Sequence, residues 1–147
     1  MGMVHTEITL KNVGDVTNVQ RGIINETGVR QMTVTALIDT GASDLVINEA
    51  TRARLGLSIT KRSAATLADG SREEYQVTEP VEIHWKDRDT VSRALVLPNA
   101  DEILLGALPL ESMDLMVHPK SQEVVGVHGD KARYVVYWYK HTNSSGV

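Results

Sequence analysis

Apolar residues in this chain come in short runs, broken again and again by Gly, Asn, Asp or Pro. That cadence leaves little room for long helices and favours many short strands. Thr6, Ile8 and Leu10 alternate with Glu7, Thr9 and Lys11, the period of a half-buried strand. Residues 16–24 and 29–38 read as the next two strands, separated by the turn-like Asn25-Glu26-Thr27-Gly28. In the second of them Met32, Val34, Ala36 and Ile38 share one face. Leu45-Val46-Ile47 is a short apolar strand, and two more strands flank Asp69-Gly70, a strong hairpin signal. Residues 81–85 and 91–97 pair around Lys86-Asp87-Arg88-Asp89, and residues 103–105, 115–117, 123–127 and 134–139 complete the strands.

Two helices are expected. Residues 48–57 have Asn48 to cap the start, Glu49 in the first turn and Gly56 at the end. Residues 107–113 form a second short helix. The pattern predicts an all-β barrel or sandwich with one or two short helices. The length of 147 residues fits one domain, expected over residues 1–140, with a polar, frayed tail at 141–147. No internal repeat or linker interrupts it.

Composition narrows the function. With two Trp, four Tyr and no Phe, the core must be aliphatic. A net charge of −4, with both signs interspersed, offers no basic stripe for phosphates and argues against nucleic acid. No apolar run approaches the ~20 residues that cross a bilayer, and residues 1–6 lack the apolar stretch of a secretory signal. The absence of cysteine excludes disulfides and thiolate metal sites and fits a reducing, cytoplasmic setting. The five histidines lie far apart and share no metal-ligand spacing; no metal and no cofactor is implied.

The stretch that carries chemistry is Ala36-Leu37-Ile38-Asp39-Thr40-Gly41-Ala42-Ser43. An apolar strand runs straight into a carboxylate, a hydroxyl and a glycine. A charge at the end of a buried strand is costly unless it is hydrogen-bonded or used. Read blandly, it is an Asp bonding local amides in a turn. This segment resembles the active-site motif of the retropepsin-like aspartic peptidases, and the likeness extends to bacterial members. Leu37 and Ile38 precede the Asp, and the later strand and helix end in Leu55-Gly56-Leu57. Leu67-Ala68-Asp69-Gly70-Ser71 is similar to the tip of the family's flap hairpin. Ile103-Leu104-Leu105-Gly106 is similar to its apolar-apolar-Gly element, with a short helix after it. One departure stands out: Ala107 and Leu108 occupy the positions where retroviral members carry Arg and then Asp or Asn.

The resemblance implies a closed retropepsin-like barrel, one lobe per chain. It implies a catalytic set of Asp39, Thr40 and Gly41, with Ala42, Ser43, Ala68, Asp69, Gly70 and Ser71 against a polypeptide substrate. This chain has one Asp-Thr-Gly. The two-carboxylate chemistry therefore implies a homodimer whose two-fold axis brings Asp39 against its copy. The aromatic segment at 134–139 is a candidate for the dimer interface, and Thr40 for a bond across the axis. Two other readings fit the same fold: a retropepsin-fold module that dimerises or binds polypeptide without cleaving it, and an inactive monomer activated by a partner. Fold alone does not separate these, because function belongs to the site.

Overall fold

The computed structural model describes residues 3–66 and 69–129. The aromatic segment at 134–139, the tail at 141–147 and the expected boundary between domain and tail lie outside the described residues. In chain order the elements begin with β1 (His5–Asn12), α1 (Val13–Gln20), β2 (Gln31–Ile38), β3 (Leu45–Ile47) and α2 (Glu49–Leu55). The hairpin β4 (Ile59–Thr66) and β5 (Arg72–Thr78) follows, then β6 (Val81–Trp85), β7 (Arg88–Ser92) and β8 (Ala94–Val96). The rest comprises β9 (Ile103–Leu105), α3 (Ala107–Ser112), β10 (Leu115–Val117) and β11 (Val124–Gly126).

Among the described residues nine strands join in one mixed sheet, in the order β4-β5-β8-β3-β9-β2-β1-β6-β7. The expected barrel closure by strand pairing is not seen: among the described residues the ladder is linear and ends at β4 and β7. β10 and β11 form a separate two-stranded sheet. The alternation in β1 and β2 sends Ile8, Leu10 and Ala36 into one buried cluster with Leu45, Ile47, Ile83, Val96 and Leu105, and Met32, Val34 and Ile38 pack against it. On the opposite face Thr9 and Thr33, paired in register, share a hydroxyl–hydroxyl hydrogen bond of 2.8 Å. Among the described residues the core is aliphatic apart from Trp85, whose indole N–H donates to Thr6 at 2.8 Å.

Three sequence expectations need correction. Residues 16–24 do not form a strand; most of them belong to α1. Their valines suit a strand, but Asn12 caps a helix there, accepting from the Asp15 N–H at 3.1 Å. Gly22, at φ 73°, follows its end. Among the described residues there are thus three α-helices and a 3₁₀ turn at Glu26–Gly28 rather than two helices. Finally, the β6–β7 turn is tighter than expected. Lys86, at φ 50°, and Asp87 make the whole turn, so Arg88 and Asp89 enter β7. The run expected at 91–97 splits at Arg93, and β8 leaves β7 to pair parallel with β3. By contrast, α2 is capped as its sequence indicates. Asn48 accepts from the Thr51 N–H at 2.9 Å, and Gly56 closes the helix in the left-handed region.

The ends of β1, α1 and α2 are tied behind the sheet. The Asn12 amide donates to the Leu55 carbonyl at 2.9 Å. Asp15, with its side chain only 10% exposed, accepts from Arg30 Nε at 2.8 Å, Nη2 at 3.0 Å and the backbone N–H at 3.0 Å. The Arg30 guanidinium holds the Asp15 carboxyl below its ordinary 3.8. A carboxyl depressed in the folded state adds stability above its unfolded pKa and loses it as pH falls through the folded one. Asp15→Asn is expected to cost about 1–3 kcal/mol at neutral pH. The gap between wild type and variant narrows once pH drops below about 4. Urea unfolding at a series of pH values checks this, and a gap unchanged down to about pH 2 contradicts it.

Candidate active site

The loop at 39–44 owes its shape to the strands beneath it. β2 runs parallel to β9, and β9 runs antiparallel to β3. The chain therefore leaves β2, crosses the end of β9 and returns along β3. The Asp39 N–H donates to the Leu105 carbonyl at 3.1 Å, extending the β2–β9 ladder by one rung. Asp39 stands at the point where that ladder stops and its carboxylate can leave the core half-buried, while Thr40 and Gly41 are exposed.

The loop wraps around Asp39. The Gly41 N–H donates to Asp39 Oδ1 at 2.9 Å, and the Ala42 N–H to the Asp39 carbonyl at 3.1 Å. Gly41 has no positive φ, and a Cβ built on it would lie 3.1 Å from Asp39 Oδ1, a tight contact to which the carboxylate would have to yield slightly. Behind the loop, the first two amides of α3 take its carbonyls. Ala107 N–H donates to Ala42, and Leu108 N–H to Ser43, each at 2.9 Å. Gly106 makes that approach possible: its missing Cβ would sit 2.3 Å from the Asp44 carbonyl oxygen and 2.7 Å from that of Ala42. This loop is fastened by backbone amides, and Leu108 turns outward, 57% exposed.

Ser43 does not offer a free hydroxyl; its Oγ donates to Asp44 Oδ2 at 2.8 Å. Asp44 is buried, and its other oxygen faces Arg93 Nε at 3.5 Å. Asp44 was missed from sequence, although a carboxylate directly before Leu45-Val46-Ile47 is the same signal that marks Asp39. Arg88 was missed as well, because its burial depends on the length of the preceding turn.

The second group of expected residues lies apart from the first, on the β4–β5 hairpin. Ala68 is outside the described residues. Asp69 accepts from the Ser71 N–H at 2.9 Å and its hydroxyl at 2.5 Å, and Gly70, at φ 85°, completes the turn. Those bonds from Ser71 hold the exposed Asp69 carboxyl below its ordinary 3.8. The tip is thus shaped by its own side chains. A cleft of ≈ 500 Å³ opens at the base of the hairpin, lined in part by Glu49, Arg52, Arg62, Glu74 and Tyr75, and not by the Asp39 loop.

Residues 21–112 match the family described as "gag-polyprotein putative aspartyl protease". The chain belongs to this family, the retropepsin-like aspartic proteases. Among solved structures, this retropepsin-like chain shares its fold with the retroviral protease-like domain of Ddi1 from Leishmania major. The two are 16% identical with a TM-score of 0.54, over 82% of this chain and 84% of that one. EIAV protease, solved in complex with the inhibitor HBY-793, is 23% identical over 75% of this chain and 86% of that one, with a TM-score of 0.49. No curated protein matches the sequence. Family and fold are those of aspartic proteases.

Proposed function

We propose that this chain is an aspartic endopeptidase that works as a homodimer, with Asp39 from each protomer meeting on a two-fold axis. The observation that carries the reading is the Asp39 loop itself. A carboxylate at the end of a paired strand, held by Gly41 and braced by α3, is half-exposed next to the exposed Thr40 and Gly41. One chain supplies one such carboxylate, and the chemistry needs two. One ionised Asp39 removes a proton from a shared water, and its protonated copy donates to the scissile carbonyl oxygen. Two carboxylates about 3 Å apart would repel by roughly 5 kcal/mol at an effective dielectric of ~20, so the pair keeps one proton between them. Sharing one proton between two carboxylates is general to aspartic proteases and not particular to this chain.

In this reading Thr40 bonds across the axis. Asp69, Gly70 and Ser71, with Ala68, close over an extended peptide that pairs by backbone, and Ala42 and Ser43 flank it. A cytoplasmic setting is part of the proposal, compatible with a chain that has no cysteine. Among the described residues no helix is long and apolar enough to cross a membrane.

The test is cleavage of an unfolded polypeptide from mildly acidic to neutral pH, at several protein concentrations. A statine-type inhibitor should block it, and the rate should fall faster than linearly on dilution, because the active species dissociates. Binding of the polypeptide with no cleavage at any concentration would instead support the non-catalytic module.

A further inference from the structure

We propose that Arg88 is a positioning residue for the Asp39 loop, acting through α3. Its kinetic consequence rests on the peptidase reading, whereas its structural consequence does not. Arg88 opens β7, the last strand of the sheet, yet its side chain is completely buried. A buried cation is tolerated only with close partners. Nη1 donates to the carbonyls of Met113 at 3.0 Å and Asp114 at 2.9 Å, and Nη2 to that of Gly129. The Asp114 carboxylate lies 3.6 Å from Nη1. Only Nε is without a partner among the described residues. Room for the guanidinium comes from Gly126, whose Cβ would lie 2.3 Å from Nη2.

Two of these partners, Met113 and Asp114, stand at the C-terminal end of α3, where the last carbonyls of a helix have no partner of their own. Met113 caps that helix. Asp114, at φ 57°, is held from the other side by the His128 N–H at 3.2 Å and ring Nδ1 at 2.7 Å. A six-residue helix is too short to be stable alone. Its two ends have separate anchors: Arg88 at one, and the carbonyls of Ala42 and Ser43 at the other. The helix therefore works as a strut about 9 Å long between the buried guanidinium and the loop. Lysine cannot replace Arg88, since a single ammonium does not span three carbonyls in the plane of a fork.

Amide hydrogen exchange on the full chain tests this directly. Arg88→Lys is expected to speed exchange at Ala42, Ala107 and Leu108 at least about tenfold, while Ile8 and Leu10 in β1 change no more than the global loss of stability requires. Where wild type cleaves polypeptide, the variant should lose kcat about tenfold with KM within about twofold. Ile83→Val, a mild core truncation in β6, should leave kcat unchanged. If Arg88→Lys does not fold, Asp114→Asn weakens the same seat while tolerating the left-handed backbone, and is judged by the same amides. Wild-type protection at Ala42, Ala107 and Leu108, or uniform acceleration across the core, would overturn the proposal. A wild type that never cleaves would refute the peptidase reading and leave the exchange result standing.

Discussion

Asp39→Asn is expected to lower peptide-bond hydrolysis by about 10³-fold or more while the protomer stays folded. The expectation follows from two separate roles of the same side chain. Structurally, the Asp39 side chain accepts one hydrogen bond among the described residues, from the Gly41 N–H to Oδ1. An asparagine oxygen accepts that bond equally well, so stability should change by less than about 1 kcal/mol. Chemically, an amide at this position can neither take a proton from water nor share one with a facing carboxylate. The loss corresponds to about 4 kcal/mol or more of transition-state stabilisation. Thermal unfolding and a cleavage assay on the same preparation separate the roles. Unchanged cleavage in the folded variant would remove Asp39 from the reaction.

Gly106→Ala is expected to have the largest structural effect of any single methyl added to this chain near the loop. Gly106 has φ −82° and ψ −179°, angles open to any residue, so nothing in its own backbone demands glycine. The demand comes from its neighbours. A Cβ would meet the Asp44 carbonyl oxygen at 2.3 Å, the Ala42 carbonyl oxygen at 2.7 Å and the Ser43 carbonyl carbon at 2.7 Å. All three are backbone atoms and cannot swing aside like a flexible side chain. Either the loop lifts or α3 withdraws, and the bonds from Ala107 and Leu108 break in both cases. Overpacking of this kind costs about 3 kcal/mol, which in a domain of this size lowers Tm by roughly 10 °C. Gly70→Ala is a useful contrast. Among the described residues nothing lies within 4 Å of its Cβ, and the φ of 85° resists, so the cost is nearer 1 kcal/mol. If Gly106→Ala melts with wild type, the close approach of α3 to the loop is wrong.

How much of this was legible in the sequence depended on whether a signal was local. The Asp39 loop could be read because a carboxylate between an apolar strand and a glycine conflicts with simple burial, and the flanking elements follow in order. The caps of α2 were legible at Asn48 and Gly56 for the same reason: each acts within a few residues of itself. α1 was misread because its valines favour strands and its deciding signal, Asn12 reaching to Asp15, is a single side chain. Arg88 was invisible, since the length of the preceding turn, two residues rather than the four expected, decides whether it enters β7. The importance of Gly106 could be seen as part of an apolar-apolar-Gly element, but not its cause. That cause is the carbonyls of residues 42 and 44, brought against it by the crossing of β2, β9 and β3. The linear order of the sheet is likewise a property of long-range pairing that no local pattern encodes.

Ala107 and Leu108 brace the loop through two backbone amides, and the absence of a Cβ at Gly106 leaves room for that approach.

The central claim, that two chains share one pair of carboxylates, is tested most directly by mixing. Wild type and Asp39→Asn are combined in varying ratios at fixed total concentration, allowed to exchange subunits, and assayed for cleavage. If each active site needs an Asp39 from both protomers, activity follows the square of the wild-type fraction. An equal mixture then retains about one quarter of full activity, because only pairs of wild-type chains are competent. Activity that declines in direct proportion to the wild-type fraction would mean that one chain hydrolyses alone, and the shared dyad would be ruled out.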